Sequence, residues 1–276
     1  MEFSPTKGKL TLAGVALATS FFIGCGDSNS DFVLTPPPAQ AQASGFTTFS
    51  AAGTADVTQA IADFQSAVGG SDNGNTSGSQ TTGFRSINWD AGIVPVHPAA
   101  FPPDFFNNIA NFPPTRGLIV GAVGNGLNAS NNDFANINPN YADEFNAFSN
   151  SNTFSPTSTN ILWARFEVPN ATGVPAAVAG FGAVFSDVDT AGSTNIEFFN
   201  GNTSLGTFQV PVRTDASGHS FLGVVWTNTT RVTSVKIKCG SGTLGAANQD
   251  VSDGGTDDLV VVDDFFYAEP RRVGSN

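Results

Sequence analysis

The sequence predicts an all-β fold: an antiparallel β-sandwich of jelly-roll type with one N-terminal α-helix. Three observations lead there. From Phe84 onward, short apolar runs, several alternating with a two-residue period, are separated by Gly, Pro, Asn and Asp. Only one segment, Thr54 to Val68, repeats its apolar residues with a helical period. No crossover-helix pattern follows residue 70, so the strands have no βαβ connections and must pair antiparallel. The 276 residues, 40% of them hydrophobic, suffice for one sizeable sandwich core, and eight or nine strands fit that length better as a jelly roll than as an open barrel.

The elements follow in order. Leu10 to Ile23 is a 14-residue apolar run behind Lys7 and Lys9, too short to span a bilayer as a helix and right for a signal-peptide core. Residues 25–52 contain Pro36-Pro37-Pro38 and little apolar periodicity, and read as a flexible, Pro-containing tether. In the helix, Val57, Ile61, Phe64 and Val68 share one face, with Thr58, Asp63 and Gln65 opposite. Thr54 or Asp56 is available to cap its start and Gly69-Gly70 to end it. The apolar face is expected to pack on the main domain. Residues 69–83, almost all Gly, Ser, Asn and Thr, read as a linker, so that 53–83 is helix plus linker.

Strands are predicted near 84–89, 117–123, 161–168, 178–186, 194–200, 205–210, 219–226, 231–239 and 259–268, giving a sandwich over 84–270 and a tail at 271–276. Gly201-Asn202 suits a hairpin, since both residues tolerate positive φ. The Asn- and Ser-rich stretch 125–158 carries Phe134, Phe145, Phe148 and Phe154, which a solvated loop does not need. It is expected to be an excursion pinned to the sandwich by these rings.

Phe22-Ile23-Gly24-Cys25 resembles the lipobox of bacterial lipoproteins, departing from it at Phe22, where Leu is usual. The resemblance implies cleavage before Cys25, lipidation of that residue, and an exported protein held to the membrane of the cell envelope. Residues 1–24 are then the signal peptide. Their removal leaves nine basic and 22 acidic residues, taking the net charge from −12 to −13. It also leaves Cys239 as the one thiol of the mature chain, which excludes an internal disulfide framework and reads as a small buried hydrophobe.

The set FRSINWDAGIVP, FPPDFFN, RGLIVGAVGNG, GFGAVFSDVDTAGSTNIEFFNG, SFLGVVW and DLVVVDDFFYAEP resembles a group of uncharacterised bacterial exported jelly-roll proteins that often carry a PEP-CTERM sorting tail. The resemblance spans roughly residues 54–270 and implies fold and location, not an activity. Here the sequence ends EPRRVGSN with no apolar tail, and the lipid on Cys25 is expected to serve as the anchor instead.

Charge sets the partner classes. The acidity argues against nucleic acid, whose phosphates require clustered Lys and Arg. Six of the acids fall between Asp250 and Asp264. Asp263-Asp264 interrupts an apolar strand, so one carboxylate is expected to face inward, at a cost unless it meets a cation or several donors. Calcium, an Arg such as Arg85 or backbone donors, and a solvated strand end are the alternatives. The Asp-Asp pair also resembles, locally and no further, the closing strand of carbohydrate-binding jelly rolls, in which one acid often ligates structural calcium. Asp187-Val188-Asp189-Thr190-Ala191-Gly192 begins like an EF-hand loop, but Ala191, Phe198 and the strand after it break that pattern. It remains able to lend one or two oxygens. Asp250, Asp253, Asp257 and Asp258 crowd the loop before the last strand, where solvent or a bound cation would ease their repulsion. Asp263, Asp264, Asp187, Asp189, Asp257 and Asp258 are therefore the candidate ligands of a structural calcium.

Catalysis has little material. The two histidines, His97 and His219, lack a nucleophile elbow, and with 22 acids a glycosidase-like pair arises by chance. Sugar binding favours displayed Trp or Tyr, whereas 25 Phe, three Trp and two Tyr point to a core. Trp163 and Trp226 sit in apolar strand patterns. Trp89 with Asp90, at a strand end, is the best candidate platform. The expected role is a non-catalytic envelope or surface module for adhesion or binding, steadied by calcium, with extracellular polysaccharide or envelope proteins as partners. A carbohydrate-binding module is the alternative, and a glycoside hydrolase or other hydrolase the third.

Overall fold

The computed structural model describes residues 44–107, 115–215 and 217–274. The expected signal peptide, Cys25 and the polyproline part of the expected tether lie outside the described residues. The elements are β1 (Phe46–Ala52), α1 (Thr54–Ala67), β2 (Phe84–Ile87), β3 (Leu118–Ala122), β4 (Leu127–Ser130), α2 (Tyr141–Glu144), β5 (Thr153–Pro156), β6 (Ile161–Glu167), β7 (Pro175–Ala177), β8 (Gly180–Ser186), β9 (Asn195–Asn200), β10 (Thr203–Gln209), β11 (His219–Trp226), β12 (Ser234–Lys238), β13 (Val261–Ala268) and β14 (Arg271–Arg272). They form two antiparallel seven-stranded sheets. The first runs β1-β11-β8-β13-β5-β4, with β2 also on β13; the second runs β10-β9-β12-β6-β7-β14, with β3 also on β6. From β8 to β13 the chain alternates between sheets, with β9 and β10 as a hairpin across Gly201-Asn202. This is the predicted sandwich, and all nine predicted strands are present.

The main core lies between the sheets. Period-two alternation puts Leu162, Ala164 and Phe166 of β6 and Val235 and Ile237 of β12 against Phe181, Ala183 and Phe185 of β8 and Phe265 and Tyr267 of β13. A smaller core forms where α1 lies on the outer face of the first sheet. Its buried Val57, Ile61 and Phe64 meet Val184, Phe221, Val225 and Phe266. Gly223 makes this approach possible, because a Cβ there would stand 2.6 Å from the Phe64 ring. The helix starts from Gly53 at φ 107° without a side-chain cap, so neither Thr54 nor Asp56 caps it. At its end Gly69 and Gly70 take positive φ as expected, with the Gly70 N–H donating to the Gln65 carbonyl at 2.8 Å.

Two of the expected boundaries move. Residues 46–52 of the tether are β1, paired along its whole length with β11. This edge strand has Phe at 46 and 49 and mostly exposed Thr and Ser around them, so its sequence lacks two-residue alternation. The first two residues of the tail, Arg271 and Arg272, form β14 against β7.

The Gly/Ser/Asn-rich linker is likewise fastened. Buried Arg85 on β2 spends all five donors. Nε and Nη2 hold the Glu269 carboxylate at 2.9 and 2.8 Å, Nη1 holds the Gly74 and Thr115 carbonyls, and Nη2 the Gly78 carbonyl at 3.1 Å. Glu269 also accepts from the Gln80 N–H and the Asn73 amide. A fully buried ion pair contributes little net stability, but breaking it strands a charge. Glu269→Ala is therefore expected to destabilise the protein by about 3–5 kcal/mol in urea unfolding, and to make the 70–82 loop the first proteolytic cut.

Candidate metal centre

One end of the sandwich gathers carboxylates from three separate stretches of chain. Glu144 ends α2. Asp187 and Asp189 follow β8 directly. Asp250 and Asp258 come from the loop that leads into β13. Pairing of Ser186 with both Val261 and His219 brings these strand ends together. One carboxylate oxygen each from Glu144, Asp187 and Asp250 lies within 4.8 Å of the others, and all three residues are buried.

The acids differ in how they are satisfied. Asp258 accepts the N–H groups of Asp189 and Thr190 at 3.3 and 3.0 Å, together with the Ser193 hydroxyl, and so shapes the 187–193 turn around itself. Asp250 accepts from the Ser252 N–H at 2.8 Å and from the Leu259 N–H. Glu144 accepts the Ser252 hydroxyl at 2.6 Å. Asp187, at 0% exposure, has no hydrogen-bond donor among the described residues for either oxygen, and neither does Oδ1 of Asp189. Asp187 is also held at φ 69°, a left-handed conformation that costs a side-chain-bearing residue and recurs at functional sites.

No Lys or Arg balances the group: the ion pairs among the described residues are Arg85–Glu269, Arg165–Glu167, Arg213–Asp215 and Lys236–Glu197. Burial and the neighbouring acids therefore push Asp187, Asp189 and Asp250 upward. Asp250 rises to about 6, chiefly through desolvation, and Asp189 rises by desolvation and the charge of Asp258. Asp187 rises furthest, by burial first and by Glu144 next. An all-oxygen donor set of this kind fits a hard cation and offers nothing to a metal that prefers nitrogen or sulfur.

The predicted ligands are thus divided. Asp187, Asp189 and Asp258 meet at this end. Asp257 is half-exposed one residue away and accepts only the Ser241 hydroxyl, at 3.3 Å. Glu144 was not foreseen, and Asp250 was seen only as part of an acidic loop. Glu144 lies in the Asn-rich excursion, which the predicted rings do pin. Phe134 and Phe145 pack with Tyr141, Leu244, Leu259 and Val261, and that small core carries Glu144 into place.

Asp263 and Asp264 form a different cluster. The ladder to β8 passes from Val262–Phe185 to Phe265–Ala183, so two residues of β13 oppose one of β8. This bulge cancels the expected alternation, and both Asp side chains meet the same loop. Asp263 Oδ2 accepts the N–H groups of Phe148 and Ser149, and Asp264 Oδ1 accepts the Ser149 hydroxyl at 2.6 Å. Asp90 joins them, taking the Asn152 N–H at 3.0 Å and the Ser149 hydroxyl at 3.3 Å. Backbone and hydroxyl donors therefore reach Asp263 Oδ2 and Asp264 Oδ1, Asp263 Oδ1 is buried without a partner among the described residues, and Arg85 serves Glu269 instead.

Trp89 is no platform. It is 1% exposed, stacks on Phe154 at 3.8 Å with rings 4° apart, and donates Nε1–H to the Asp263 carbonyl at 2.8 Å. Its strand-end position, which suggested display, instead drops the ring into the inter-sheet core. Trp226 is buried as expected, but Trp163 is 39% exposed, against expectation. Cys239 is buried and its thiol is pushed up to about 12 by desolvation, as an inert core residue requires. His219 faces the Asn146 carbonyl at 3.0 Å and the Thr54 hydroxyl at 3.5 Å, and His97 meets the Asn136 amide.

Comparison with known proteins finds no family model, no curated protein and no solved structure that matches this chain.

Burial raises both carboxyls of the Asp263–Asp264 pair; the charge of Asp264 raises Asp263 further, to about 9, and that of Asp90 raises Asp264, to about 6, so the pair is expected to lose its protons in two steps. Carboxyls with raised folded values stabilise the protein below the ordinary carboxylate range, and that stability is lost as pH rises through the raised values. The unfolding free energy from urea titrations is expected to fall from about pH 6 to pH 9, with Asp263 contributing about 1.4 kcal/mol per pH unit of the slope beside the share of Asp187. Asp263→Asn should flatten the slope. An unchanged slope in the variant refutes the assignment.

Proposed function

We propose that this chain is a non-catalytic, lipid-anchored β-sandwich of the bacterial cell envelope, a binding or adhesion module whose loop end is clamped by calcium. The observation that carries the metal is Asp187: a fully buried carboxylate, with both oxygens lacking donors, aimed at two further buried acids. Desolvating a carboxylate costs several kcal/mol, and a cation shared with Glu144 and Asp250 recovers it. Calcium accepts six to eight oxygens in irregular geometry, which suits ligands drawn from three loops, whereas magnesium requires near-ideal octahedra. The loop carbonyls and water would complete the shell. Asp189 lies next to the group with a free Oδ1, and Asp258 positions the turn.

Export and anchoring rest on the sequence alone: Lys7 and Lys9, the apolar run to Ile23, and the lipobox-like Phe22 to Cys25. Against catalysis stand the histidines, which hydrogen-bond to carbonyl, hydroxyl and amide groups rather than to a carboxylate.

Calcium at about 100 times its Kd is expected to stabilise the protein by about 2.7 kcal/mol, raising Tm by roughly 5–10 °C over the chelator-treated sample. Asp187→Asn should be more stable than the native chain in chelator and blind to calcium. Superimposed melting curves for the native chain with and without calcium overturn the clamp. For the anchor, Cys25→Ala is expected to move the expressed protein from the detergent phase to the aqueous phase in cloud-point partitioning. A variant that stays with detergent contradicts lipidation.

A further inference from the structure

The two outer faces of the sandwich differ. That of the first sheet is covered by α1, whereas that of the second carries an exposed tryptophan. On β6, Leu162, Ala164 and Phe166 point into the core, so Trp163 and Arg165 point outward. Cross-strand pairing extends this into a continuous rung, Gly121–Trp163–Lys236–Glu197, with a second rung, Ile119–Arg165–Ser234–Phe199, beside it. Trp163 is flanked on the β12 side by Lys236, whose Nζ lies 5.7 Å from the ring centroid, and by Phe199 at 5.8 Å. On the β3 side is Gly121, and there a cavity of about 310 Å³ opens, lined by Gly121, Trp163, Arg165 and Ser234 among others.

Gly121 is the telling residue. Its φ is not positive, and a Cβ built on it meets nothing within 4 Å, so neither backbone nor packing requires glycine. A glycine inside a strand weakens it, and where the chain itself gives no reason it marks close approach by something else. Here it keeps the space beside the one strongly exposed indole clear.

We propose that this face binds a pyranose ring of a polysaccharide, with Trp163 as the stacking platform. The flat indole packs on the C–H face of the sugar and tolerates water at its edge. Glu197, Lys236, Arg165 and Ser234 supply acceptors and donors for ring hydroxyls around that platform. An aliphatic ligand would use none of these polar groups, and a nucleic acid would find the cations already paired, Lys236 with Glu197 and Arg165 with the buried Glu167. The inference names a ligand class for the binding module and is independent of the calcium clamp.

Trp89 and Trp226 are buried, so acrylamide quenching of tryptophan fluorescence reports chiefly on Trp163. The full chain is titrated with hydroxyethyl cellulose, dextran, alginate and polygalacturonate, and run in native gels containing each. At least one polymer is expected to protect the fluorescence and retard migration. Trp163→Ala should weaken retardation by about tenfold or more. Gly121→Leu, which fills the open space, should abolish retardation without lowering the melting temperature. The proposal is overturned if none of the four polymers acts on the native chain, or if both variants are retarded as the native chain is. Because the calcium test reads Tm and this one reads retardation in the absence of chelator, failure of either leaves the other standing.

Discussion

Burying negative charge is the constraint around which one end of this sandwich is organised. Strands β8, β11 and β13 end together there, and the loops that close them carry Glu144, Asp187, Asp189, Asp250 and Asp258 into a space with no balancing Lys or Arg among the described residues. Each loop conformation reflects that burden. The 187–193 turn wraps its N–H groups around Asp258, the 250–259 loop turns its own N–H groups onto Asp250, and the Asn-rich excursion is stapled down by Phe134 and Phe145 so that Glu144 arrives at the same point.

How far the sequence discloses this depends on what each residue's environment owes to local pattern. Most of the nine predicted strands are runs whose apolar residues alternate or continue, and burial follows from that pattern. The strands that escaped prediction have other reasons to exist. β4 and β5, LNAS and TFSP, bury Asn128, Ser130, Thr153 and Ser155, polar residues that mark loops when read in isolation. β1 exists because the β11 edge needs a partner, and β14 because β7 does. The Asp263–Asp264 pair was legible as a conflict between charge and burial, but the bulge that turns both acids to one loop is a property of the ladder.

The tryptophans show the same division. The parity of ILWARFE could have placed Trp163 on the surface, since it shares a face with Arg165 and alternates with Leu162, Ala164 and Phe166. Trp89 offered no such signal. It sits past the end of β2 at φ 59°, and its burial is decided by Phe101, Phe106, Phe154 and Phe265, which come from distant parts of the chain.

The two acidic clusters pose one physical problem and differ in the means at hand. Asp263 has two backbone N–H donors and a neighbouring carboxyl with which to share a proton, so the chain itself can neutralise it. Asp187 has no donor, and its nearest neighbours are Glu144 and Asp250, whose own hydrogen bonds go to the Ser252 and Leu259 groups. A proton can neutralise one oxygen there but cannot draw three carboxylates together; a divalent cation does both, because its charge acts on all of them at once. That difference favours the proposed cation at Asp187 and a shared proton at Asp263, although side by side in the sequence Asp263 and Asp264 made the louder acidic signal.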